Sequence, residues 1–234
     1  MTKYLFMTIL YEDNHIIAVN KSVGEIVQVD KTKDKALEDT LKDYIKEKYH
    51  KPGEVFLGVV HRIDRPVSGV VLFARTSKAL TRLNEMFQEK TVEKIYWAIV
   101  KEKPPRTEDT LIHYLVRNTK SNKSYCYENE AKGSKQAILH YHWLASSDVY
   151  HLLEIRLETG RHHQIRSQLA TIGCPIKGDL KYGFPRSNKD GGISLHSRKV
   201  KLIHPVRDEE LVIEAPTPED SLWKAFLDMM GKEK

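Results

Sequence analysis

Residues 59–74, VVHRIDRPVSGVVLFA, set two β-branched runs on either side of a polar turn. Val59 and Val60 precede the turn, Pro66 and Gly69 punctuate it, and Val70 to Phe73 follow, which predicts strand, turn, strand. The turn gathers His61, Arg62, Asp64, Arg65 and Ser68. One carboxylate among two guanidiniums and an imidazole, at the mouth of two buried strands, is favoured in its ionised form by the neighbouring cations. Such a carboxylate is a candidate nucleophile or base. It is equally a candidate for a solvated cap or a structural ion pair, the commoner fate of an Asp flanked by Arg in a turn.

Composition bounds the possibilities. The chain has 234 residues, 40% hydrophobic and 9% aromatic, enough for a globular fold whose core needs no covalent staples. A net charge of +6 and a pI near 9.1 make a polyanion a reasonable partner. Cys126 and Cys174 form no CxxC pair and no metal-ligand spacing, which fits a reducing, cytoplasmic setting. The apolar stretch in MTKYLFMTILYED is too short and too interrupted for a signal peptide, and no later run is long enough to span a membrane. A soluble protein is expected.

Further elements follow in order. Ile16 to Val19 reads as a strand running into a turn at Asn20 to Gly24, and Ala36 to Tyr49 as a helix with one apolar face, ended by Lys51, Pro52 and Gly53. Thr76 or Ser77 caps a helix whose stripe is Leu80, Leu83, Met86 and Phe87. Lys94 to Val100 reads as a strand, and residues 101–135, polar and lysine-rich, as loops with at most a marginal hairpin. Ala137 to Ala145 and His151 to Leu157 are strands, as are segments around Ser194 to Ile203 and Leu211 to Glu214. In the final helix Thr217 is the expected cap, Asp220 completes a capping-box pattern, and Leu222, Trp223, Phe226, Leu227 and Met230 form the buried face.

A second informative stretch is TGRHHQIRSQLATIG, 159–173. Ile165, Leu169 and Ile172 share one helical face, so Gln164, Arg166 and Gln168 are expected to point elsewhere. Arg161, His162, His163 and Arg166 cluster at the helix N-terminus, where an anion is favoured. The paired histidines do not make a metal site, because neighbours on a helix point apart and no carboxylate or Cys stands at ligand spacing. His140 and His142 share a strand face without a third ligand, and no metal is expected.

Taken together, HRIDRPVSG at 61–69, KIY at 94–96, TGRHHQIR at 159–166, GDLKYG at 178–183 and LHS at 195–197 resemble, in order and spacing, the motifs of the RluA family of pseudouridine synthases. The opening LYEDNHIIAVNKSVG looks like that family's first strand and lysine-glycine turn. The resemblance covers about residues 8–216. It implies an α+β fold, a mixed, largely antiparallel sheet with flanking helices and a central active cleft, and isomerisation of uridine to pseudouridine in structured RNA with no cofactor and no metal. A tRNA or rRNA stem-loop is the implied partner and a monomer the expected state. Residues 1–234 are expected to form one catalytic domain with two lobes meeting near residue 105 and no N-terminal RNA-binding module of the S4 type.

By the same resemblance, Asp64 acts at the sugar carbon, Arg166 pairs with Asp64, Tyr96 stacks on the uracil and takes the C5 proton, and Arg62 inserts into the RNA. Tyr96 is on local pattern a core aromatic, since KIYWAIV alternates apolar residues. His61 and Arg65 support the turn or touch phosphate, and Lys21 and Arg161 are expected to contact the RNA backbone. The chain departs from the family's pattern at Ser22, Ile63, Val67 and His162, none of which removes a charged catalytic group. Two other classes stay open: a non-catalytic RNA-binding protein of the same fold, and a His/Asp hydrolase or nuclease using His61, Asp64, His162 and His163, which would need a metal or a water-activating partner.

Overall fold

A computed structural model describes residues 7–29 and 34–232. They form two compact units, one of residues up to Val92 with Ser197–Pro216, the other of Glu93–His196 with the residues from Thr217 on.

In the first unit, β1 (Thr8–Glu12) and β2 (Ile16–Lys21) form an antiparallel hairpin. The Asp13 carboxylate closes its turn by accepting the amides of His15 and Ile16 at 2.7 and 2.8 Å. The two runs of the 59–74 stretch are β3 (Gly58–Val59) and β4 (Ser68–Ala74), which pair antiparallel with Val59 opposite Phe73. All seven residues of β4 are buried, which explains why its sequence is a continuous apolar run and not an alternating one. β2 also pairs with β4, Ala18 opposite Leu72 and Lys21 opposite Gly69. The return segment supplies β10 (Leu195–Ile203) and β11 (Glu210–Glu214), paired antiparallel. Two helices cover these strands, α1 (Leu37–Lys48), burying Leu37, Leu41 and Ile45, and α2 (Ser77–Gln88). Thr76 Oγ1 caps α2 by accepting the Ala79 amide at 3.2 Å. The core joins Ile16, Ala18, Val70, Leu72, Leu83, Val200 and Ile213.

The second unit is built on five antiparallel strands in the order β5 (Glu93–Val100), β9 (His151–Leu157), β8 (Lys135–Ser146), β6 (Glu108–Asn118) and β7 (Lys123–Tyr127). Helix α3 (Gln164–Thr171), a 3-10 turn (Leu180–Tyr182) and α4 (Ser221–Lys232) complete it. Trp223 and Phe226 of α4 pack against Ile99 and Leu152.

The fold is therefore α+β with largely antiparallel strands, as expected, and four helices among the described residues. Three local expectations need correction. Residues 101–135 hold a full hairpin, since β6 runs 11 residues and pairs with both β7 and β8. Its inward residues Leu111, His113 and Leu115 are buried, an alternation hidden by the lysines around it. The cap of α4 is Asp220, whose Oδ1 accepts the Leu222 and Trp223 amides at 2.9 and 3.0 Å, and not Thr217. Leu227 is 39% exposed, outside the face that Trp223 and Phe226 bury.

Candidate active site

The loop that carries Asp64 is held from three sides. Val67 donates its amide to the Asp64 carbonyl at 3.0 Å, and the Ile63 and Val67 side chains are buried. Gly24 and Arg65 exchange hydrogen bonds, Gly24 N to Arg65 O and Arg65 Nε to Gly24 O, each 3.0 Å, so the turn after β2 is laced to this loop. Lys21 lies beneath both. It is 0% exposed, and its ammonium donates to the carbonyls of Ser22 (2.9 Å), Glu25 (2.9 Å) and Arg65 (3.2 Å). Burial pulls its pKa down to about 8, against the attraction of the Glu25 and Asp64 carboxylates. A lysine with three backbone acceptors and no exposed surface is an anchor for the Asp64 loop, which corrects its expected contact with an RNA backbone. The turn at Asn20 to Gly24 is legible in the sequence, but a sequence does not show on which side of the backbone a lysine ends.

The remaining predicted residues of this unit divide by exposure. Arg62 is exposed. Arg65 is exposed too, with its guanidinium 2.6 Å from the Asp34 carboxylate. His61 turns inward: its Nε2 accepts the Leu72 amide at 3.0 Å and its ring stacks on Phe87 with centroids 5.1 Å apart. It braces β4 against α2.

In the second unit Tyr96 is buried on β5, opposite Ile155 of β9. Arg166 lies in the first turn of α3, 5% exposed, and makes a side-on fork with Asp179, itself 1% exposed: Nε to Oδ2 at 2.7 Å and Nη2 to Oδ1 at 2.9 Å. Two parallel charge-assisted hydrogen bonds fix the guanidinium plane. The Tyr182 ring backs it, 5.2 Å from the guanidinium carbon. Tyr182 is pinned in turn, its hydroxyl accepting the Ser124 amide at 2.8 Å and lying 3.0 Å from His163 Nδ1. Burial, and then the charge of Arg166, push the His163 pKa down to about 2, so this imidazole is neutral.

α3 is polar yet buried, contrary to the expectation that only its apolar face turns inward. Every residue from Gln164 to Leu169 is buried. Gln164 donates to Ile138 O at 3.1 Å and accepts from Thr159 Oγ1 and the Arg161 amide at 2.7 and 2.9 Å; Gln168 donates to Leu111 O and Ala137 O. These amides donate to strand carbonyls, which is how polar side chains survive burial. Nor do the two histidines point apart. His163 has φ 53°, so the chain turns before the helix begins and the two rings stack 3.8 Å apart. Arg161 is exposed, with Nε on Gln136 O at 3.0 Å.

Asp179 and Tyr182 belong to GDLKYG, a motif the sequence singled out without a role for either residue. The signal available was the arginine itself: a guanidinium that a helix buries requires a carboxylate nearby. Among the described residues no group of three or more His, Cys, Asp or Glu is placed to hold a metal ion.

The architecture is that of pseudouridine synthase domains. Human RNA Pseudouridylate Synthase Domain Containing 4 superposes with a TM-score of 0.78 at 24% identity over 96% of this chain and 93% of that one. Human RNA Pseudouridylate Synthase Domain Containing 1 gives 0.70 at 21% identity, covering 97% and 94%. The family model described as RNA pseudouridylate synthase matches residues 15–171, and the chain belongs to that family of isomerases. It is 34% identical to the uncharacterized RNA pseudouridine synthase YhcT of Bacillus subtilis (strain 168) over 93% of this chain and 71% of that protein. It is 29% identical to a tRNA pseudouridine synthase C of Pectobacterium carotovorum over 99% of this chain and 64% of that protein. A protein of the same name from Vibrio parahaemolyticus is 30% identical, over 93% of this chain and 92% of its own length.

Proposed function

We propose that this chain isomerises a specific uridine of a tRNA or rRNA stem-loop to pseudouridine, as a monomeric cytoplasmic enzyme without cofactor or metal and with both units forming one catalytic domain. The observation that carries this reading is the Asp64 loop, anchored from beneath by the buried Lys21 ammonium. A carboxylate that must meet one sugar atom needs a backbone that does not drift, and rigid support is worth orders of magnitude in rate.

In this reading the target nucleotide leaves the helix stack and Arg62 fills the gap. Asp64, ionised, traps the electron-poor sugar carbon or begins proton abstraction beside it, as carboxylates do in glycoside chemistry, while the N-glycosidic bond breaks. Arg166 is the cation that keeps Asp64 ionised once the base excludes water. The Asp179 fork holds the guanidinium by its Nε and Nη2 edge. The freed uracil turns and its C5 bonds to the sugar carbon, releasing Asp64; the C5 proton leaves by way of Tyr96 and N1, freed from the sugar, takes one up, so no proton is gained or lost overall.

The test is pseudouridine mapping of total tRNA and rRNA incubated in EDTA with the purified chain or with its Asp64→Ala variant. A uridine converted by the intact chain alone is the expected result. RNA bound tightly by both proteins with every uridine unchanged would replace the catalytic reading with that of a binding protein, and chelator-sensitive RNA cleavage would replace it with that of a nuclease.

A further inference from the structure

The β6–β7 hairpin has two unlike faces. Leu115 and Ser124 are buried on one of them, and Ser124 Oγ meets His162 Nδ1 at 2.9 Å just ahead of α3. Strand alternation sends the cross-strand pairs Tyr114–Tyr127 and Val116–Tyr125 to the other face. There Tyr125 and Tyr127 are 42% and 44% exposed, with Ile112 of β6 beside them 52% exposed. From Leu111 to Tyr127 the chain holds three cations, Arg117, Lys120 and Lys123, and no carboxylate; Glu128 and Glu130 come only after the strand.

Several exposed cations of the molecule are paired with carboxylates: Lys35 with Asp43, Lys48 with Glu12, Lys201 with Glu210, Arg207 with Glu209. Among the described residues Lys120 and Lys123 form no ion pair, while Arg117, paired with Ser124, belongs to the opposite face. The Lys123 ammonium instead lies 5.8 Å from the Tyr125 ring centre and 5.0 Å from that of Tyr182, which keeps it at the edge of the aromatic patch. The tip itself is rigid, since Asn118 Oδ1 accepts the Lys120 and Ser121 amides at 3.0 and 3.1 Å and Lys181 Nζ donates to Asn122 O at 3.0 Å. Exposed aromatic rings fixed on strands, edged by unneutralised cations, are what unpaired nucleotides require: a flat surface for each base and a positive charge for each phosphate.

We infer that the Tyr125–Tyr127 face of the β6–β7 hairpin is a stacking platform for unpaired nucleotides of the RNA, with Lys120 and Lys123 on its phosphates. The inference rests on the reading of the chain as an RNA-modifying enzyme, and adds a binding surface outside the residues assigned to catalysis. A duplex does not offer free base faces, so the platform discriminates single strands from duplexes.

The experiment is fluorescence anisotropy on the full chain with labelled oligouridine and with a labelled RNA duplex, across a salt series. Tyr125→Ala/Tyr127→Ala is expected to weaken oligouridine binding by about tenfold per ring removed and to leave the duplex nearly unaffected. Tyr125→Phe/Tyr127→Phe keeps the rings and should bind like the unmodified chain, which separates stacking from misfolding. Lys120→Ala/Lys123→Ala should lower the slope of log K against log salt by about 0.7 for each phosphate that the variant no longer neutralises. Unchanged oligouridine affinity and slope in all these variants would overturn the inference. So would a change in sedimentation showing that the patch instead seats a second copy of the chain. Pseudouridine formation is measured separately on the unmodified chain: hairpin variants that lose affinity while no uridine is ever converted leave the platform standing and remove the catalytic reading.

Discussion

Replacing Asp179 by Asn tests whether the arginine fork is the internal support of α3's polar end. The substitution keeps shape and one acceptor but removes a carboxylate charge held against Arg166, a guanidinium 5% exposed with two hydrogen bonds of 2.7 and 2.9 Å to that carboxylate. Breaking a buried pair from one side leaves the other charge uncompensated and costs about 3–5 kcal/mol. Since Asn still accepts one bond, the lower end, about 3 kcal/mol, is expected. For a chain of this length each kcal/mol moves Tm by about 2–4 °C, so thermal unfolding followed by circular dichroism should fall by about 6–12 °C. A double-mutant cycle with Arg166→Met isolates the coupling: the double variant should be more stable than the sum of single losses, by roughly 1–3 kcal/mol. Additive losses, or an Asp179→Asn Tm within about 1 °C of the unmodified chain, would refute the account.

Lys21 gives a pH signature. Its folded pKa of about 8 lies below the usual lysine value, so between about pH 8 and 10.5 the unfolded chain binds the extra proton and stability gains from this residue as pH rises, by up to about 1.4 kcal/mol per unit. Above about pH 9 the Cys174 thiol, pushed up to about 11 by burial, acts in the opposite sense, so denaturant titrations should be compared with Lys21→Met, in which the rise from pH 8 to 9 disappears. Gly69→Ala should cost about 3 kcal/mol or more and drop Tm by roughly 6 °C or more, because Gly69 has φ +113° and a Cβ there would stand 2.2 Å from the Ser197 carbonyl oxygen. A well-folded Gly69→Ala with unchanged Tm would show that this close approach of β4 and β10 is not required.

Much of this molecule is local and therefore legible along the chain. The 59–74 stretch, the helices at 37–48 and 77–88, and strands β5, β8 and β9 each announce themselves through apolar runs, periodicity and caps whose partners lie within a few residues. The ordered motifs placed Asp64, Tyr96 and Arg166 in a family by residue type alone. Where side chains end is another matter. Lys21 looks like any surface lysine until three carbonyls from two loops converge on its ammonium, and Asp179 gains its role only because Arg166, 13 residues earlier, folds back against it. Gln164 and Gln168 read as outward residues for the same reason: the carbonyls they satisfy, at Ile138, Leu111 and Ala137, belong to strands far away in sequence. Periodicity reports how often a side chain turns toward a core, whereas burial of a polar group depends on a partner that only long-range packing supplies. The 3.8 Å stack of His162 on His163 shows the same limit on a smaller scale, since one left-handed residue ahead of α3 overrides the helical geometry that its neighbours imply.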